Sequence, residues 1–241
     1  DKRGSELFDQ ICELPEYYLT RAESQIMRRY AAEMAAQIDR GVRLVEYGSG
    51  SSTKTRLLLD ELIEPAAYVP VDISSEHLEQ TARELRRAYP HIEILPVAAD
   101  FTQPFDLPQP RRQQTHTAVY FPGSTIGNFE PAAARALLEQ MSRHCLRGGG
   151  LLIGVDLKKD PDTLEAAYND AQGVTDAFNR NMLHRINREL DADFPVDKFE
   201  HVAEYNADAG RVEIFLESRG ENRVHVDGKR FEFDDGERIV T

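Results

Sequence analysis

The chain has 241 residues and is poor in cysteine, in basic residues and in long apolar runs. Its two cysteines, Cys12 and Cys145, lie far apart, so a disulfide framework is excluded and we expect a reducing, cytoplasmic setting. No apolar run approaches the roughly 18–20 residues that span a bilayer. The start of the chain lacks the charged and apolar regions of a signal peptide, and it also lacks an initiator Met. We therefore expect no membrane partner and a chain that begins inside a longer natural one.

Basic residues are outnumbered, with 29 Lys and Arg against 42 Asp and Glu, which gives a formal net charge of −13. Basic side chains at phosphates supply most nucleic-acid affinity, so this balance argues against a nucleic-acid partner. The seven histidines are scattered, and no Cys/His cluster has the spacing of a zinc site, so we predict no metal. These absences leave a small-molecule ligand open.

Strand and helix patterns alternate through the first two thirds of the chain. The predicted strands are 42–47, 67–71, 92–97, 116–121 and 151–155. The predicted helices are 5–14, 21–40, 53–63, 76–88, 131–146 and 161–189, the last interrupted near Gly173. Thr20 and Glu23 have the spacing of a capping box at the start of the second helix. This alternation predicts a parallel, doubly wound α/β sheet.

The last part of the chain has a different pattern. Residues 202–205, 211–217, 223–226 and 229–233 alternate apolar and polar side chains and are separated by turn residues. Asp227-Gly228 is a strong signal for a tight hairpin. We therefore predict an antiparallel β meander beside the parallel core.

The most informative stretch is LVEYGSGSST, residues 44–53, which is typical of a strand, a glycine turn and a helix start. Asp72 ends the next strand 24 residues after Gly48, where an acidic residue accepts hydrogen bonds from ribose hydroxyls. NAD and S-adenosylmethionine both present such a diol. Thr53 replaces the third glycine of a dinucleotide motif, and Glu46 adds a negative charge that suits a sulfonium better than a phosphate. The pattern favours S-adenosylmethionine and keeps an NAD-dependent oxidoreductase as an alternative.

Two further features have both a structural and a functional interpretation. GSTIGN, residues 123–128, follows the fourth strand, and the Asn128 amide fits an amino-acid carboxylate. The same asparagine also fits a turn and a cap before the helix that Pro131 opens. Tyr17, next to Tyr18, fits either a packing corner or a ligand contact.

Longer segments carry a family resemblance. They are SELFDQICELPEYYLTRAE, LVEYGSGSSTKTRLLLD, FPGSTIGNFEP, GVDLKKD, AYNDAQGVTDAFNRNMLHRINREL and DADFPVDKFEH. Over nearly its whole length the chain resembles the histidine-specific, S-adenosylmethionine-dependent methyltransferases. That family makes hercynine, the trimethylated betaine of histidine, on the way to ergothioneine. The resemblance implies a Rossmann-like class I methyltransferase core.

The resemblance also implies roles for individual residues. The positions that would hold S-adenosylmethionine are Gly48, Lys54, Asp72, Asp100 and Phe101. Within this set Asp72 would bind the ribose diol, and Asp100 with Phe101 would bind the adenine.

The implied substrate residues lie elsewhere in the chain. Asn128 and Tyr168 would bind the carboxylate of the amino acid, Tyr17 would face its imidazole, and Gly123 would lie near its amine. No side chain is implied as a certain acid or base, so Tyr17, Gly123 and Asn128 are positioning residues. We expect a monomer that acts on a small-molecule amino acid, with L-histidine as the suspected substrate.

The resemblance divides the chain into three parts. Residues 1–40 form a helical segment that contributes to the substrate site, 41–160 the cofactor-binding core, and 161–241 a substrate-binding region. Leu19 stands where the family has proline. The family's glutamate and serine that grip the imidazole, and the end of the core, are expected beyond Thr241. A methyltransferase for another amino acid or small amine, and a non-catalytic S-adenosylmethionine-binding module, are the alternatives.

Overall fold

The computed structural model describes residues 1–50, 52–145 and 148–241. The helices are α1 (Lys2–Glu13), α2 (Tyr18–Ile38), α3 (Thr53–Leu59), α4 (Ser75–Ala88), α5 (Pro131–Cys145), α6 (Pro161–Ala166) and α7 (Val174–Glu189). The strands are β1 (Val42–Tyr47), β2 (Ala67–Asp72), β3 (Glu93–Ile94), β4 (Val97–Ala98), β5 (His116–Phe121), β6 (Gly150–Ile153), β7 (Phe199–Asn206), β8 (Arg211–Ser218), β9 (Asn222–Val226), β10 (Lys229–Phe233) and β11 (Arg238–Val240). Among these described helices, none is both long and apolar enough to cross a bilayer.

The chain divides into two compact units. One consists of Arg21–Asp156 and is called the parallel unit here; the other consists of Asp1–Thr20 with Leu157–Thr241 and is called the antiparallel unit. The predicted parts 1–40, 41–160 and 161–241 were defined by what each binds. That division stays a prediction.

The parallel unit contains the predicted sheet, in the order β3-β2-β1-β5-β6, with β4 also pairing with β2. Every pair in this sheet is parallel. Strand order reverses between β1 and β5, whose neighbours β2 and β6 lie on opposite sides. In such sheets, ligands bind beyond the carboxyl ends of the strands at this reversal. The prediction of a doubly wound α/β fold is confirmed.

Both faces of this sheet are covered, so β1 is buried along its whole length, including its charged residues Arg43 and Glu46. Successive residues of a strand point to opposite faces. Leu44 and Tyr120 belong to a core with residues of α2, α3 and α4. Val45 and Phe121 belong to a second core with residues of α5. Every residue of β1 is buried.

Several predicted boundaries in the parallel unit are wrong. The third strand is split into β3 and β4, because Pro96 between them has no backbone N–H for the ladder. Helix α3 ends at Leu59, and β6 ends at Ile153. Helix α2 begins at Tyr18, so Thr20 lies inside its first turn and does not form a capping box with Glu23. The predicted end of α5 at residue 146 lies outside the described residues.

The antiparallel unit contains α1, α6, α7 and two small sheets. One sheet has the order β11-β8-β7, and the other is the hairpin β9-β10. Leu183 of α7 packs with Phe199, Leu216 and Val224 in one core. Ile11 and the residues around Tyr17 form a second core.

The prediction of an antiparallel β region is confirmed, but its strands form two sheets and not one meander, because β8 pairs with β11 and not with β9. The chain leaves the end of β8 through Gly220, whose φ is 75°. The Asn222 amide then donates to the Ser218 hydroxyl and to the carbonyls of Arg219 and Gly220, which directs the chain away from β8. The predicted tight hairpin is confirmed, since Asp227 and Gly228 both have positive φ, as a type I′ turn requires.

Candidate functional site

The glycine turn after β1 is pinned to the end of β2. The amides of Gly48 and Ser49 both donate to the carbonyl of Val71, at 2.9 and 3.1 Å. Gly48 has a φ of 71° and is exposed, so its backbone is open to close approach by a ligand. The turn therefore presents backbone at the reversal of strand order.

Asp72 ends β2 beside this turn, and its carboxylate is fixed by two backbone amides. Oδ2 accepts from the Gly50 N–H and Oδ1 from the Ser74 N–H, each at 3.0 Å. Each carboxylate oxygen accepts two hydrogen bonds, so both oxygens keep one position open. Asp72 is partly exposed. This arrangement fits a vicinal diol, which would donate one bond to each oxygen.

Asp100 and Phe101 lie after β4. The Asp100 carboxylate accepts from the hydroxyl and the amide of Thr102, at 2.6 and 2.9 Å, and these hydrogen bonds lower its pKa. The Phe101 ring packs on Tyr47, with 5.7 Å between ring centroids. A Cβ on Gly48 would lie 3.4 Å from the Phe101 ring, so the two residues line one space. An aromatic face here suits a flat, apolar base.

Lys54 and Gly123 both contact Glu23, a residue that the sequence did not indicate as functional. The Lys54 ammonium forms an ion pair with Oε2 of Glu23. Oε1 of Glu23 accepts from the Gly123 N–H at 2.7 Å. A Cβ on Gly154 would lie only 2.5 Å from the same oxygen. These groups lie 31 and 100 residues from Glu23 along the chain, so no local motif could identify the cluster.

Glu46 does not have the role that its position in the motif suggested. Only 2% of the residue is exposed, and its carboxylate accepts from the hydroxyls of Thr55, at 2.7 Å, and of Tyr68. Burial raises the pKa of Glu46 to about 7, against the lowering effect of those hydrogen bonds. The prediction that Glu46 presents negative charge to a sulfonium is therefore wrong, and the residue packs beneath the turn.

Asn128 ends a 3-10 turn, Thr125–Asn128, and is exposed. Helix α5 begins three residues later at Pro131, so the cap position belongs to Glu130 and not to Asn128. The structural interpretation of Asn128 as a helix cap is thus not supported. Its amide is accessible to a ligand.

In the antiparallel unit, Tyr17 and Tyr168 pack edge to face, with centroids 5.9 Å apart and an interplanar angle of 85°. The Tyr168 carbonyl accepts from Nε2 of His201 at 2.7 Å. Nδ1 of His201 lies 2.9 Å from the Asn179 amide nitrogen, which donates. In this arrangement Nε2 of His201 is the donor and Nδ1 the acceptor. Asn179 belongs to the AFNRN segment, which the sequence offered only as a family signature.

The described residues thus group eight of the nine predicted positions in three sets, and Asn128 lies apart from them at the end of its 3-10 turn. Gly48, Asp72 and Phe101 surround the glycine turn, with the exposed Asp100 beside Phe101. Lys54 and Gly123 meet at Glu23, and Tyr17 meets Tyr168. Over residues 1–50, 52–145 and 148–241, the structure has no group of three or more His, Cys, Asp or Glu side chains that could hold a metal ion.

Comparison with known proteins decides between the two cofactors that the sequence left open. The family model described as histidine-specific methyltransferase, SAM-dependent, matches residues 1–241. The chain belongs to this family. The predictions of a methyltransferase, of S-adenosylmethionine as its cofactor and of a class I core are confirmed, and the NAD alternative is wrong.

Individual relatives agree with the family. The histidine N-alpha-methyltransferase of Mycobacterium tuberculosis (strain CDC 1551 / Oshkosh) is 44% identical over 247 residues, covering 100% of this chain and 75% of that protein. The enzyme of the same name from Mycolicibacterium smegmatis is 43% identical with the same coverage. Ergothioneine biosynthesis protein 1 of Neurospora crassa is 34% identical over 191 residues, covering 78% of this chain and 22% of that protein.

Proposed function

We propose that the chain transfers methyl groups from S-adenosylmethionine to the α-amine of L-histidine and gives N,N,N-trimethylhistidine, hercynine, in the ergothioneine pathway. The observation that carries the cofactor half is the Asp72 carboxylate, held by two backbone amides beside the glycine turn with both oxygens still able to accept. The histidine half is supported by the mycobacterial relatives, which match the chain over its full length.

The cofactor positions in the parallel unit have complementary chemistry. Asp72 accepts from the ribose hydroxyls, and Phe101 with Asp100 contacts the adenine. Gly48 allows close approach, and the Lys54 ammonium is the charge partner for the carboxylate of the cofactor. When bound, S-adenosylmethionine supplies a methyl group on a positively charged sulfonium, so the protein mainly provides positioning and exclusion of water.

The acceptor positions follow from the same proposal. Asn128 binds the carboxylate of histidine, and Gly123 contributes backbone near the amine. In the antiparallel unit, Tyr168 is a ligand of the carboxylate and Tyr17 contacts the imidazole. The aromatic pair suits a substrate that becomes a quaternary ammonium, because such cations are attracted to aromatic rings.

The amine must be neutral before it accepts a methyl group, and a carboxylate beside it would raise its pKa. Glu46 is buried beneath the turn, and the Glu23 carboxylate is paired with the Lys54 ammonium and accepts from the Gly123 N–H. We therefore assign the proton to water and to neither of these two carboxylates.

Mass spectrometry of the protein incubated with S-adenosylmethionine and each amino acid in turn tests the proposal. We expect mass increases of one to three methyl groups on histidine. Methylation of another amino acid or small amine instead would favour the rival substrate class. Cofactor binding without any methyl transfer would favour a non-catalytic binding module.

Asn128 offers a second test. Asn128→Ala should raise the KM for histidine at least tenfold and leave cofactor affinity within about twofold, since one charge-assisted hydrogen bond contributes about 1.5–3 kcal/mol. Equal losses for both ligands, or no loss, would point to a purely structural asparagine. A cytoplasmic location and a monomeric state stay predictions for fractionation and light scattering.

A further inference from the structure

Glu23 of α2 is bound on both of its carboxylate oxygens by groups from two separate segments. Oε2 pairs with Lys54, which lies in α3 directly after the glycine turn. Oε1 accepts from the Gly123 N–H at 2.7 Å, at the start of the loop that follows β5. The Glu23 side chain is 15% exposed and that of Lys54 25% exposed, so both charges are largely removed from water.

The three groups form one contiguous cluster within the parallel unit. The Lys54 ammonium lies 3.8 Å from the position that a Cβ on Gly123 would occupy. Gly154, after β6, fits against Oε1 only because it has no side chain. Both hydrogen bonds of Glu23 are charge-assisted, the stronger class of protein hydrogen bond. One carboxylate therefore fixes the direction of the Lys54 side chain and the orientation of the Gly123 amide.

Glu23 lies six residues into α2, counting from Tyr18, so it is not a helix cap. Both partners of Glu23 are ligand-binding residues in the proposed function. Lys54 is assigned to the cofactor. Gly123 is the second residue of the loop 122–128, which also contains Asn128, a residue assigned to the acceptor. No other described glutamate is paired with both of them.

We propose that Glu23 is a positioning residue that orders the cofactor and acceptor parts of the parallel unit together. Oε2 holds the Lys54 ammonium in place for the carboxylate of the cofactor. Oε1 holds Gly123, and with it the loop 122–128, in place for the amino acid. The inference rests on the proposed function for the roles of Lys54, Gly123 and Asn128.

The two oxygens can be tested separately with two substitutions. Glu23→Gln removes the charge that pairs with Lys54 but keeps an amide oxygen that accepts from Gly123. Glu23→Ala removes both. We expect the two variants to weaken S-adenosylhomocysteine binding equally, about tenfold in a calorimetric Kd. For kcat/KM with histidine at saturating cofactor, we expect a loss of about 100-fold in Glu23→Ala but less than tenfold in Glu23→Gln.

A double variant tests whether Glu23 acts through Lys54. If it does, adding Glu23→Gln to Lys54→Met should change the Kd for S-adenosylhomocysteine by less than twofold, because residues in one contact network are not additive. Glu33→Gln is the matched control, since Glu33 is an exposed glutamate of the same helix. Glu33→Gln should leave the Kd for S-adenosylhomocysteine and kcat/KM for histidine unchanged. Circular dichroism checks that each variant is folded.

Specific outcomes overturn the proposal. If the ion pair is only structural, the melting temperature of the variants should fall. Their Kd for S-adenosylhomocysteine and their kcat/KM for histidine should then stay within twofold of the parent values. Equal effects of Gln and Ala on the histidine reaction would remove the role of the Gly123 contact. Fully additive losses in the double variant would remove the link to Lys54.

The proposed function fails in a different way. If the parent protein does not methylate histidine, the acceptor assignment is wrong. The binding measurements with S-adenosylhomocysteine still test the pairing of Glu23 with Lys54, because they need no amino acid. If the parent methylates histidine normally but Glu23→Gln has an unchanged Kd for S-adenosylhomocysteine, the proposed role of Glu23 is rejected and the proposed function is not affected.

Discussion

Glu46 and Asp72 of the parallel unit form different polar contacts from Arg238 of the antiparallel unit. In the parallel unit, carboxylates such as Glu46 and Asp72 lie at the ends of buried strands and bond to hydroxyls or backbone amides. In the antiparallel unit, charged side chains pair across exposed strands, as Arg238 does with Glu204 and Glu217. Buried polar contacts are costly to break, whereas exposed ion pairs contribute little. Substitutions at Glu46 and Asp72 should therefore be more damaging than substitutions at Arg238 or its partners.

The largest effect is expected at Asp72. Asp72→Ala removes the acceptor for the ribose and leaves the Gly50 and Ser74 amides without their carboxylate, so we expect at least a 100-fold loss of affinity for S-adenosylhomocysteine by calorimetry. Glu76→Ala, at an exposed acid of the next helix, is the control. An unchanged Kd in Asp72→Ala would refute the ribose assignment and weaken the contrast between the units.

Glu46 should dominate stability. Glu46→Ala leaves the buried Thr55 hydroxyl without its acceptor, leaves Tyr68 with only the Ser52 hydroxyl, and creates a cavity, so we expect a loss of about 3 kcal/mol in the free energy of unfolding. Chemical denaturation measures it. Glu204→Ala, an exposed partner of Arg238, should cost less than about 1 kcal/mol. Equal costs would remove the contrast.

The same residue gives the parallel unit a dependence on pH. Since the pKa of Glu46 is raised from 4.5 to about 7 on folding, its protonated form stabilises the fold. That contribution is complete below about pH 4.5 and is lost as the pH rises through 7. Glu46→Gln lacks this titration. The melting temperature of Glu46→Gln minus that of the parent should therefore increase by a few degrees between pH 5 and pH 8, and a constant difference would contradict the raised pKa.

Tyr168 lies in the antiparallel unit, so its substitution tests whether that unit binds histidine and not the cofactor. Tyr168→Phe keeps the packing on Tyr17 but removes the hydroxyl, so the KM for histidine should rise about tenfold while the Kd for S-adenosylhomocysteine stays the same. Tyr30→Phe, which removes a hydroxyl from an exposed tyrosine outside the proposed site, is the control and should change neither value. Loss of cofactor affinity in Tyr168→Phe would mean that the division of labour is wrong.

The smallest effect is expected in the hairpin β9-β10. Gly228→Ala places a side chain at a φ of 73°, which costs about 1–2 kcal/mol. Because β10 is mostly exposed, this cost should appear as faster amide exchange within the hairpin and not as a large change in melting temperature. Gly150→Ala, with open space around the new methyl and no positive φ, should have no such effect.

Sequence patterns predicted the parallel unit better than the antiparallel unit. The bounds of β1 and β5 were predicted correctly, because most residues of both strands are apolar and a glycine-containing turn follows each of them. Pairing among the later strands was not predictable, since the bonds of Asn222 that separate β9 from β8 leave no trace in an alternating pattern. The short strand β11 was missed because its three residues are too few to show an alternating pattern.

The candidate site shows a similar limit. Asp72 stood out because its distance from the glycine turn follows from the strand-helix-strand path. Glu23 did not, since its partners are remote in sequence and its spacing from Thr20 fitted a capping box. Glu46 was misassigned because the sequence places it at the turn without showing that its side chain points inward to Thr55 and Tyr68.

Gly154 is a glycine because of space and not because of conformation, since its φ lies outside the left-handed region. A methyl group there would collide with Glu23. The two positions should therefore change together during evolution. A lineage that keeps Glu23 in this orientation retains glycine at 154, and a lineage that acquires a side chain at 154 must move or shorten the side chain of residue 23. Relatives that have made this exchange would have replaced the shared carboxylate with another way of ordering Lys54 and Gly123.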